Sequence, residues 1–112
     1  MKKIEAVIRP ERLKNVLEEL QKLGYPGMTI TEVRGHGNQK GLVRIWRGEV
    51  YRVDFLPKLK LETVVVDEDL PKVVDVLVKA ARTGDPGDGK IFIYEVEDVV
   101  RIRTGDSGIH AI

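Results

Sequence analysis

The chain has 112 residues, 33% of them charged, with a formal net charge of +1 and no cysteine. That length suits one domain, 1–112, with a modest core, and the absence of cysteine excludes disulfides, thiolate nucleophiles and zinc–thiolate sites together. The near-neutral balance argues against a dedicated nucleic-acid binder, which carries a pronounced basic excess.

His36 and His110 lie far apart without a helical ligand partner, so a structural metal site is not expected. No apolar run approaches the ~20 residues that span a bilayer. Met1-Lys2-Lys3-Ile4-Glu5 turns charged before a signal-peptide core develops. A soluble cytoplasmic protein is the expectation.

Residues 3–9 alternate, with Ile4, Ala6 and Ile8 on one face and Glu5, Val7 and Arg9 on the other, which predicts a strand. Pro10 ends it and suits entry into a helix. Leu13, Val16, Leu17, Leu20 and Leu23 recur at helical spacing until Gly24. The β-branched residues of 28–34 predict a second strand. Leu59, Leu61, Thr63 and Val65, alternating with Lys58, Lys60, Glu62 and Val64, predict a third. Asp67, Glu68, Asp69 and Pro71 mark a helix start, and Val73, Val74, Leu77, Ala80 and Ala81 supply its buried stripe. Ile91 to Val96 completes the set. The order β-α-β-β-α-β predicts an α+β, ferredoxin-like sandwich with a long loop between strands two and three.

Two helices cover one face of such a sheet. Val7, Val64, Phe92, Tyr94 and Val96 then place apolar atoms, mixed with polar ones, on the other face, and self-association through it is expected. The connection from about Gly37 to Leu56 is too long for a hairpin turn. Lys40, Arg44, Arg47 and Arg52 stand there against Glu49 and Asp54, with Trp46 and Tyr51 interleaved. A segment so ionic cannot be core. It is a mobile binding arm or disordered decoration, and the interleaved aromatics favour the arm.

Three groups of residues are suited to phosphate. Gly35-His36-Gly37-Asn38-Gln39-Lys40-Gly41 leaves the second strand, and Gly87-Asp88-Gly89-Lys90 enters the fourth. Arg101-Ile102-Arg103 puts two guanidinium groups on one side of an extended tail, about 97–112, by strand alternation. Glycine lets backbone amides approach an oxyanion, and Lys and Arg balance its charge. Together they favour a nucleotide polyphosphate. Gly84 and Gly89-Lys90 have Walker A spacing, but Ile91 replaces the Ser or Thr that holds magnesium, and helix precedes loop and strand follows, the reverse of a P-loop. Asp88 in its Gly-Asp-Gly turn reads first as a turn residue, with a metal or proton role as the alternative. No pair reads as nucleophile plus oriented base. The chain looks like a nucleotide binder, with a slow ATPase or nucleotidyl-transfer domain as the alternative. An RNA-binding domain fits poorly, since Phe92 and Tyr94 are the sole stacking candidates.

Over essentially its whole length the chain resembles the PII signal-transduction proteins of nitrogen control. The segments that carry the likeness are Thr83 to Val96, Thr31-Glu32-Val33-Arg34-Gly35, Gln39-Lys40-Gly41, Val53 to Lys58, and Arg101 to Gly105. The resemblance implies a non-catalytic homotrimer with ATP or ADP in clefts between subunits. The phosphates would meet Gly87, Asp88, Gly89, Lys90, Arg101 and Arg103, with Gly35 and Gly37 alongside. Thr29 and Val64 would contact the base and Glu62 the ribose. It further implies 2-oxoglutarate beside Mg2+ and ATP, Gln39 helping hold the metal and Lys58 meeting a carboxylate. The 37–56 insertion would be the effector arm, acting on an ammonium transporter through Arg47 or on glutamine synthetase, with recruitment to the membrane through the first. Tyr51 sits where some relatives are modified. Two positions depart from the pattern: Asn38 where arginine is common near the phosphates, and His36 where phenylalanine is common.

Overall fold

A computed structural model describes residues 1–36 and 55–112, together with the backbone of 42–46 and 49–53. The elements are β1 (Lys2–Ile8), α1 (Leu13–Lys22), β2 (Thr29–Gly35), β3 (Leu42–Trp46), β4 (Glu49–Val53), β5 (Leu56–Val65), α2 (Leu70–Ala81) and β6 (Lys90–Glu95). Short 3₁₀ turns at Pro10–Arg12 and Asp67–Asp69 lead into the two helices. The four-stranded sheet runs β2-β5-β1-β6 with antiparallel neighbours throughout, the ferredoxin-like arrangement expected.

The alternation read from β1 governs the core. Ile4, Ala6 and Ile8 are buried, as are their sheet partners Thr63, Leu61 and, partly, Leu59. Val16 and Leu20 of α1 and Val73 and Leu77 of α2 close over them. Helix α1 ends on a Schellman motif: the Gly24 amide donates to the Gln21 carbonyl at 3.0 Å and the Tyr25 amide to Leu20 at 3.1 Å. Arg12, at the start of α1, sends Nε and Nη2 onto the Ala80 carbonyl at 3.0 and 2.8 Å, satisfying the last turn of α2 from across the helix pair.

Among the described residues, no helix lies over the other side of the sheet. Its register places Glu62, Glu5 and Phe92 in one row and Val64, Lys3 and Tyr94 in the next. Phe92 and Tyr94 are about half exposed. Between them runs a network of ion pairs, Lys3 to Glu62 at 2.7 Å, Lys60 to Glu5 at 3.6 Å and Lys60 to Glu62 at 3.7 Å. Tyr94 donates its hydroxyl to Glu5 at 2.9 Å, and the Lys3 amine sits 5.6 Å from its ring centroid. This open face is more ionic than the apolar residues alone suggest. Val96 falls just beyond β6.

The long insertion differs from a plain loop. β3 and β4 pair antiparallel within it, from Leu42 opposite Val53 to Trp46 opposite Glu49. The sequence hid this pairing, because residues 42–46 and 49–53 mix arginines with apolar residues and show no uniform apolar alternation. No described helix is long and apolar enough to cross a membrane.

Candidate functional site

The loop joining α2 to β6 is shaped by Asp88 within it and by Arg9 outside it. Asp88 folds back and accepts the backbone amides of Thr83 and Gly84 at 2.9 and 2.8 Å, and the Thr83 hydroxyl as well. Arg9, at the end of β1, grips the loop from outside, with Nε to Asp88 Oδ1 at 2.9 Å and Nη2 to the Pro86 carbonyl at 2.8 Å. The Thr83 hydroxyl, then the Arg9 guanidinium, hold the Asp88 carboxyl well below the usual carboxylate range. The Asp88 carboxylate is thus a staple, and its expected ligand contact is left to its backbone.

Gly87 and Gly89 both have positive φ, 100° and 102°. At Gly89 a Cβ would lie 1.7 Å from the Val7 carbonyl oxygen, so only glycine lets the loop lie this close to β1. A cleft of about 510 Å³ opens beside it, lined among the described residues by Gly35, His36, Lys58, Gly87, Gly89, Lys90 and Phe92 with their neighbours. Lys58 is buried, at 8% exposure, and donates Nζ to the Gly87 carbonyl at 2.5 Å. Burial, then the Arg9 charge, push its amine below the ordinary lysine value. Gly35 matters to this placement, because a Cβ there would come within 3.1 Å of Lys58 Cγ. A glycine loop with two lysines beside it can take an anion bearing several charges.

Thr29, Glu62 and Val64 are also together, but elsewhere: they line a separate notch of about 370 Å³ with Lys3, Gly27, Met28 and Thr63. The Lys3 hydrogen bond, against some burial cost, lowers the Glu62 carboxyl and keeps it ionised.

Arg101 and Arg103 line neither cleft. The expectation that they share a side of an extended tail is corrected. Residues 102–104 turn, and the Gly105 amide donates to the Arg101 carbonyl at 2.7 Å. Gly105, with φ of 75°, permits the reversal, and a Val100–Ser107 bridge closes the hairpin-like segment. The Arg101 guanidinium donates to the His110 carbonyl at 2.9 Å, while Arg103 is exposed. Gly37, Asn38, Gln39 and Arg47 lie outside the described residues, as does the side chain of Tyr51.

Sequence reasoning overlooked Arg9 as a site residue. Its partners are 77 and 79 positions away, so no local spacing could reveal it. Thr83 was more accessible: its hydroxyl accepts the Asp85 amide at 3.2 Å, a turn typical of Thr two residues before its donor. Among the described residues no cluster of three or more His, Asp or Glu could hold a metal ion.

Residues 1–106 match the family model described as nitrogen regulatory protein P-II. The chain is 57% identical over its full 112 residues to nitrogen regulatory protein P-II 2 of Methanothermobacter thermautotrophicus, covering 97% of that protein. It is 54% identical to nitrogen regulatory protein P-II of Pasteurella multocida and 51% identical to nitrogen regulatory protein P-II 1 of Escherichia coli, in each case over the whole of both chains. These relatives are named as regulators, and the family is one of signalling proteins, not enzymes. With a ferredoxin-like sheet, a family match over residues 1–106 and relatives aligned along its whole length, the chain belongs to the nitrogen regulatory protein P-II family.

Proposed function

We propose that the chain is a homotrimeric nitrogen sensor that binds ATP or ADP and, with Mg2+ and ATP, 2-oxoglutarate, and so adjusts a nitrogen-assimilation target. The cleft beside Gly87-Asp88-Gly89-Lys90, with Lys58 on its wall, carries this reading. The residues fit the group: the Gly89 position tolerates no side chain against β1, and the lysines answer phosphate charge.

The backbone of Gly87, Asp88 and Gly89 and the Lys90 amine would hold phosphates, with Gly35 and Gly37 alongside. Thr29 and Val64 would take the base and Glu62 the ribose hydroxyls. Because this notch is separate from the glycine-loop cleft within one chain, a site shared between copies is the arrangement that unites them. The Arg101 and Arg103 guanidiniums would then add charge to it. Mg2+ offsets phosphate charge when bound, with Gln39 helping to hold it. Lys58 would leave the Gly87 carbonyl for a 2-oxoglutarate carboxylate, a stronger acceptor because it is charged.

The effector arm, carrying Arg47 and Tyr51, would meet the target, an ammonium transporter first and glutamine synthetase second. Ligands can move the arm only by binding one of its conformations better than another.

Calorimetry of 2-oxoglutarate with and without Mg-ATP tests this. Heat is expected with Mg-ATP alone, and Lys58→Ala should abolish it. Gly89→Ala should remove ATP binding too, since the loop must leave β1. Binding of 2-oxoglutarate indifferent to ATP would overturn the mechanism, and a monomer by sedimentation would overturn the shared site.

A further inference from the structure

Among the described residues, four charged side chains line the glycine-loop cleft, Lys58, Lys90, Asp85 and Asp88, and one imidazole stands among them. His36 follows directly on β2, and Phe55 directly precedes β5, one step beyond the Gly35–Leu56 pair of the sheet register. Their rings pack with centroids 5.4 Å apart and planes tilted by 45°. The contact holds the imidazole at the root of the effector insertion while leaving it exposed in the lining of the cleft.

The surrounding charges leave a role for it. Asp88 is committed to Arg9, Thr83 and Gly84. On β2, Arg34 and Glu32 pair with Pro57 and Leu59 and so take the opposite face from Lys58, with Arg34 two residues before His36. Arg9 and Glu11 act on Lys58 with opposite signs. Asp85, exposed on the glycine loop, is the remaining carboxylate of the lining among the described residues.

Resting on the reading that this cleft takes an anionic ligand, we propose that His36 is a further anion-binding residue, and that a phosphate or carboxylate group enters together with a proton on its imidazole. Histidine is the side chain whose charge ordinarily changes between about pH 5 and 8. A nearby anion favours the charged form. The imidazolium offers two N–H donors where the neutral ring offers one. Affinity for the anion therefore rises as the pH falls, and phenylalanine at this position removes the linkage while keeping a ring against Phe55.

Binding of ADP is measured on the full chain by calorimetry at about pH 6 and about pH 8, in wild type, His36→Phe and His36→Gln. Titration of ADP is common to all three proteins and cancels in the comparison. The gain in affinity on acidification should be several-fold greater in wild type than in either variant. A second arm uses 2-oxoglutarate with Mg-ATP present. A differential pH response confined to ADP assigns His36 to phosphate, and one confined to 2-oxoglutarate assigns it to carboxylate. Equal pH responses in wild type and His36→Phe, with both ligands, would overturn the inference. So would His36→Gln behaving as wild type, which leaves hydrogen bonding without charge. Should His36→Phe fail to fold by circular dichroism, His36→Gln carries the test. Absence of binding by wild type at either pH would sink the nucleotide reading itself, and this inference with it.

Discussion

The helix-covered face of the sheet and its open face are built from alternate residues of the same strands, yet opposite physics stabilises them. Beneath the helices, Ile4, Ala6, Ile8, Leu61 and Val65 are at most 2% exposed and interlock with α1 and α2. On the open side, one residue along in each strand, Lys3, Glu5, Lys60 and Glu62 pair with one another under water. Burial is worth kilocalories per side chain, whereas exposed ion pairs are screened and offset by side-chain entropy. One face can therefore hold the fold while the other is left available for recognition.

The largest effect that would sharpen this contrast is expected at Ile4. Ile4→Ala should destabilise the fold by about 2–5 kcal/mol, read as a lower urea midpoint at unchanged slope. A loss comparable to that of a surface substitution would mean the covered face is not the source of stability.

At the border of the two faces, Asp88 predicts an intermediate effect with a definite pH signature. Its folded carboxyl titrates below its unfolded value, so its contribution is complete above about pH 4 and fades as the pH falls further. Asp88→Asn should lower the melting temperature near neutrality, and the gap from wild type should close on acidification. A gap constant down to about pH 2 would remove the staple.

The smallest effect is expected on the open face. A double-mutant cycle on Lys3→Met and Glu62→Gln should give weak coupling that disappears at about 1 M salt, where the screening length is about 3 Å. Coupling that survives such salt would break the comparison, because the open face would then behave as an interior.

Much of this was legible along the chain. The two helices and the four strands of the main sheet follow from periods of 3.6 and 2 in the apolar residues, and their ends from Pro10, Gly24 and Pro71. The glycine loop was legible as well, because Gly87-Asp88-Gly89-Lys90 has few uses besides holding a backbone against something. The β3–β4 ribbon was not, since alternating residues on a two-stranded pair need not include a uniformly apolar set. Nor was the tail at Arg101 and Arg103, where the Gly105 reversal overrode the alternation of an extended chain.

Local chemistry alone determined which segments are helix or strand, which face of each is apolar and where the backbone must bend, because those properties depend on neighbours within a few residues. Only the folded chain decided that Arg9 would clamp a loop 79 positions away, that Lys58 would be sealed against the Gly87 carbonyl, and that Thr29, Glu62 and Val64 would occupy a notch of their own. These are contacts between strands and loops distant in sequence. Their energy comes from desolvation and pairing that exist once the sheet has brought the partners together.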